Sequence, residues 1–120
     1  MDPRSDFHQR CARFAAAVLR LLAKLPKDAT TKYLADQLMR SATSVGANVQ
    51  EAQAGQSRAD FIHKMQIALK EAREAGYWLT LLHEGGVIQD DSMPGLESEC
   101  RQISAILARS IITAKSNATR

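Results

Sequence analysis

Apolar residues recur at three- and four-residue steps in four stretches of the chain, with polar residues between them. That spacing gathers the apolar set on one side of a helix. The first predicted helix covers about 5–24, with Phe7, Cys11, Phe14, Val18, Leu21, Leu22 and Leu25 on its apolar face. Ser5 is placed to cap it and Pro26 to stop it, because a residue before proline avoids the α region. The second covers about 31–54 and carries Leu34, Leu38, Ala42, Val45, Val49 and Ala52. Asp28, Thr30 or Thr31 can cap it, and Gly55 is expected to close it in the left-handed conformation. The third covers about 58–84, opened by Ser57-Arg-Ala-Asp60, a capping box with Asp for Glu, and closed by Gly85-Gly86. Phe61, Met65, Ala68, Leu69, Ala72, Gly76 and Leu79 make its face. The fourth covers about 94–116, with Pro94 early in the helix and Leu96, Cys100, Ile103, Leu107, Ile111 and Ala114 on its face; the tail SNATR is expected to fray.

Four amphipathic helices of similar length, joined by short connections, predict a single all-α domain over 1–120: an antiparallel up-down-up-down four-helix bundle. Composition agrees. Three prolines, six glycines and 5% aromatic residues are too few for an ordinary sheet protein.

The stretch RSATSVGANVQEA, residues 40–52, is unusual for a helix interior, since Ser, Thr, Gly and Asn are mediocre to poor helix formers. At about 100° per residue it splits into three strips. One is the apolar face. Beside it runs a polar seam of Tyr33, Gln37, Arg40, Ser44, Asn48 and Glu51, whose donors and acceptors can satisfy one another. The far side holds Thr43, Gly46 and Ala47, small enough to admit a close neighbour. The third helix also has a second face, with Ile67, Glu71, Glu74, Trp78 and Leu81. An exposed Trp among aliphatic residues would mark an interface; the alternative is a tilted bundle that buries Trp78 internally. Thr43, Gly46, Ala47, Ile67, Trp78 and Leu81 are therefore the expected contacts of a homo-oligomer.

Charge adds a second possibility. Lys plus Arg outnumber Asp plus Glu by 16 to 13, for a net charge of +3. On the first helix Arg10, Arg13, Arg20 and Lys24 fall in one arc, a candidate contact for RNA or DNA phosphates. The arc holds no aromatics at stacking spacing, so base readout has no support there.

Enzymatic chemistry is not nominated. His8, His63 and His83 are scattered, and Asp60-x-x-His63 is the nearest approach to a di-iron motif. A metal-dependent enzyme is the remote alternative; no cofactor and no small-molecule substrate are expected. Cys11 and Cys100 lie in helical patterns and are expected as buried free thiols. MDPRSDFHQR has no apolar run, and no stretch reaches about 18 uncharged apolar residues, so neither a secretion signal nor a membrane span is expected and a cytoplasmic location is.

Residues 25–81 resemble the bacterial four-helix-bundle family encoded in intervening sequences of 23S ribosomal RNA genes. The resemblance lies in LPK at 25–27 and in Y-L-x-x-Q-L-x-R-S-A-x-S-V-x-A-N-V-x-E-A from Tyr33 to Ala52. It continues as S-R-x-D-F at 57–61 and an alanine-rich third helix. Family members often read N-I-x-E-G where this chain has Asn48-Val49-Gln50-Glu51-Ala52. The resemblance implies a bundle assembled into a ring, pentameric in relatives, without enzymatic activity. A similar bundle is the accessory protein of diversity-generating retroelements, where it works with a reverse transcriptase and nucleic acid. Arg40, Ser44, Asn48 and Glu51 become signature positions. Together these readings predict a non-catalytic, ring-forming assembly or adaptor module, with nucleic-acid binding through the basic arc as the alternative.

Overall fold

A computed structural model describes residues 3–118, with side chains for 6–117. It contains four helices: α1 (Pro3–Leu22), α2 (Ala29–Gln53), α3 (Arg58–Glu84) and α4 (Met93–Ala118). No strand occurs among the described residues, and no helix is long and apolar enough to cross a membrane. Each short connection turns the chain back, so successive helices run antiparallel. α1 packs on α2 and α4, and α3 packs on the same two; among the described residues the backbones of the diagonal pairs stay apart. The pairing of α2 with α3 is the most extensive, and that of α1 with α4 the sparsest.

Local chemistry explains the boundaries. Asp28 caps α2 with its carboxylate, accepting from Thr31 N at 3.0 Å and Thr31 Oγ1 at 2.9 Å. Ser57 caps α3 by accepting from Asp60 N at 3.0 Å. α3 closes on Gly86, whose φ of 75° is open to glycine at no steric cost, while Val87 N donates back to Leu82 O. α1 begins before Ser5, which is therefore inside the helix rather than its cap. It also ends two residues short of Lys24: Lys24 N and Leu25 N donate three residues back, tightening the chain ahead of Pro26. Gly55 does not take the left-handed conformation. A Cβ there would press on the Asp60 carboxylate, which can swing aside, and would lie 3.1 Å from Ala52 O, so glycine keeps this turn uncrowded. α4 runs past 116 to Ala118; the rest of the SNATR tail, Thr119 and Arg120, lies outside the described residues.

The core takes the predicted faces, with Leu38, Val45 and Val49 from α2, Leu79 and Leu82 from α3, and Ile103 and Leu107 from α4 at its centre. Ala75 and Leu82 join the core of α3, whereas Leu69 lies at its edge. Two buried polar residues, Thr31 and Ser41, are satisfied locally; Ser41 Oγ donates to Gln37 O and Leu38 O.

Candidate functional site

The outer face between α2 and α3 carries the most developed polar network. Arg40 on α2 reaches across to α3, donating from Nη1 to Glu71 Oε2 at 3.1 Å and from Nη2 to Glu74. Trp78 Nε1 donates to the same Glu74 oxygen at 3.2 Å. Arg40 and Trp78 hold the Glu74 carboxyl below its ordinary value. The polar seam is therefore not self-complementary as expected: Arg40 spends its donors on another helix. Ser44 Oγ instead donates to Arg40 O and Asn48 Nδ2 to Ser44 O, bonds within the helix backbone. Gln37 is half-buried, and Tyr33 and Glu51 are exposed.

The antiparallel register set by Arg40 against Glu71 and Glu74 carries Tyr33 up to the level of Trp78 and Leu81. Tyr33 is 59% exposed and Leu81 37%. Trp78 is half-buried, its ring resting on the core edge with its N–H tied to Glu74. The register puts these three side chains at one level of the α2–α3 face, with half-buried Ile67 farther along α3. Thr43 and Ala47 are exposed on the outward ridge of α2. Gly46 is a correction: it faces α1, and a Cβ on it would lie 3.4 Å from Cys11 Cβ. Its close neighbour is the first helix of the same bundle, not another subunit.

The basic arc of α1 is also reduced. Arg10 is clamped to α4, with Nε donating to Glu99 Oε2 at 2.8 Å and Nη2 to Glu99 Oε1 at 2.7 Å and to Gln102 Oε1 at 2.9 Å. A bidentate pair of this kind bridges the sparsest helix seam in the bundle. Lys24 lies beyond α1 and pairs with Asp90 at 3.3 Å. Only Arg13 and Arg20 stay exposed without such a partner among the described residues.

The Arg10 clamp has a pH consequence. Its hydrogen bonds hold the Glu99 carboxyl below the ordinary 4.5. Asp90, which accepts from Ser92 and pairs with Lys24, is held at about 2. Carboxylates lowered in the folded state stabilise it above their unfolded values, and that contribution is lost as pH falls through the folded values. The urea midpoint is expected to drop as pH falls below 4.5, and Glu99→Gln to lower the neutral-pH midpoint while flattening the acid decline. An unchanged acid profile in that variant would show the clamp to be energetically idle.

Both cysteines are buried free thiols. Burial pushes Cys11 to about 12 and Cys100 to about 11, and Cys100 Sγ donates to Ala72 O at 3.1 Å. Asp60 lies against Gly55 while His63 is exposed; among the described residues no three His, Cys, Asp or Glu side chains are grouped to hold a metal.

Periodicity missed several of the features just described. Glu99 and Gln102 as partners of Arg10, and Tyr77, 60% exposed on α3, were not singled out. Their signal is a residue on one helix facing a residue on another, which a helical wheel does not contain.

Comparison with known proteins agrees with this architecture. The chain is similar to a protein of unknown function from the S23 ribosomal protein family of Bacteroides thetaiotaomicron, whose crystal structure superposes with a TM-score of 0.82. The two are 35% identical, over 90% of this chain and 96% of that one. No curated protein matches. The family profile described as 23S rRNA-intervening sequence protein matches residues 4–109. With most of its length covered and all four helices in place, the chain belongs to the 23S rRNA-intervening sequence protein family.

Proposed function

We propose that the protein is a non-catalytic assembly module that works as a homo-oligomeric ring, with copies meeting over the outer α2–α3 face. The observation that carries this reading is the apolar patch of Tyr33, Trp78 and Leu81 beside the Arg40–Glu71–Glu74 network. Aromatic anchors next to a fixed polar rim are what protein interfaces use for affinity and register. Arg40, Glu71, Glu74 and the Trp78 N–H engage one another, which fixes the polar edge of the patch. Thr43 and Ala47 on the adjoining ridge add small side chains over which a second backbone can approach. Contacts between unlike patches close into rings when the rotation permits, and the family resemblance points to five copies.

The test is the mass in solution. Light scattering at micromolar concentration is expected to give a multiple of the 13.2 kDa chain. Trp78→Glu places a charge in the patch and is expected to return the protein to the monomer mass with its helix content intact. A parent protein that runs as a clean monomer overturns the reading; an unchanged mass in the variant removes the α2–α3 face from it.

A further inference from the structure

The carboxylates of α3 and α4 are not spread evenly around the bundle. Glu71 and Glu74 turn toward α2, where Arg40 takes them, and Glu99 turns toward α1, where Arg10 takes it. The outer groove between α3 and α4 is left with Lys70, Arg73 and Arg101. None of these three enters an ion pair among the described residues. The carboxylate lining the groove, Glu97, lies 2.7 Å from His83 Nδ1.

Two adjoining cavities, of about 470 and 440 Å³, make this groove, and Arg73 lines both, so they form one trough. Its floor is low because the residues there are small. Gly76 is the clearest case: a Cβ on it would lie 3.5 Å from Cys100 Sγ, so any larger side chain would fill the trough. Thr80 and Ser104 add neutral hydroxyls along the lining. Tyr77 stands at the rim. It is propped edge-on by Trp78, with centroids 5.2 Å apart and planes at 68°, yet is 60% exposed. A braced ring with so much free surface is a stacking platform.

We propose that the outer α3–α4 groove binds single-stranded nucleic acid, with Lys70, Arg73 and Arg101 taking phosphates and Tyr77 stacking a base. Charge complementarity selects an anionic chain. The exposed ring beside the cations selects one that also offers flat faces, which is how sequence-tolerant single-strand binding works. A duplex keeps its bases stacked internally, and an acidic peptide has none. The groove is lined by residues of one protomer and meets the Trp78 patch at Tyr77, so the mass of each variant is read beside its binding. It takes the place of the α1 arc, whose Arg10 and Lys24 are already committed.

The experiment is a fluorescence-anisotropy titration of the full chain with labelled oligouridylate and oligothymidylate across a salt series. Three phosphate contacts on a single strand give a slope of log affinity against log salt of about −2. Arg73→Glu with Arg101→Glu is expected to weaken binding more than about tenfold and to flatten that slope. Tyr77→Ala is expected to cost about tenfold, and Tyr77→Trp to retain binding. Arg13→Glu with Arg20→Glu serves as the control and is expected to bind like the parent. Circular dichroism and light scattering on each variant are expected to show unchanged helix content and mass. The proposal is overturned if the Arg73/Arg101 variant binds like the parent, or if the loss follows Arg13 and Arg20. It is also overturned if binding falls only in variants whose mass or helix content changes. Duplex or polyglutamate binding as tightly as the single strand would overturn it too.

Discussion

Replacing Leu79 by alanine is expected to cost about 2–5 kcal/mol of folding free energy. Leu79 is fully buried on α3, the helix that packs against both α2 and α4. Truncation removes the transfer energy of the lost carbons and leaves a cavity. Close-packed helices on either side cannot collapse into it without breaking their own contacts. A chain of 120 residues is stable by roughly 0.05–0.15 kcal/mol per residue, so this single change removes a large share of the total. A urea titration at fixed protein concentration checks it: the midpoint should fall with the slope unchanged. Concentration must be fixed because self-association would add its own stabilisation. Leu19→Ala is the control, since Leu19 on α1 is 58% exposed, lies outside the α2–α3 face, and its truncation leaves no closed cavity. Equal losses at the two positions would contradict the burial pattern.

The ends of α3 also show what the sequence makes legible. The bounds of α3 agree with the pattern because both ends carry explicit chemistry, a Ser57 cap and a Gly85-Gly86 stop. The end of α1 is less legible: Pro26 constrains Leu25, but the tightened turn before it has no residue signature. Periodicity places Arg40 on a polar strip yet says nothing of what faces it. Its partners lie 31 and 34 residues away, and several other carboxylates were equally available to it in sequence. The α1 arc fails for the same reason. Arg10, Arg13, Arg20 and Lys24 share one side of a helical pattern, but Glu99, on the last helix of the chain, decides that Arg10 is structural. Faces are legible from one helix; pairings require the topology. The oppositely charged residues then sort themselves. Glu71, Glu74 and Glu99 meet arginines on neighbouring helices, and the α3–α4 groove keeps its cations unpaired.

Gly46 gives the sharpest test of that topology, because two substitutions there are expected to act in opposite directions. Glycine inside a helix costs about 1 kcal/mol relative to alanine. A Cβ at Gly46 meets Cys11 Cβ at 3.4 Å, the near edge of ordinary contact, so Gly46→Ala adds helix propensity without displacing α1. The variant is expected to hold or raise the urea midpoint, by up to about 1 kcal/mol. Gly46→Leu carries its extra carbons on toward the α1 backbone, where Ala12 N and the Cys11 carbonyl carbon lie 3.9 Å from the Cβ position. Backbone cannot swing aside as a side chain can. α1 must move off as a unit, loosening its Cys11 packing and pulling Arg10 from Glu99. The expected cost is about 1–3 kcal/mol. If both variants stabilise, α1 does not approach α2 closely at this turn, and the small residues of RSATSVGANVQEA serve a contact outside the bundle.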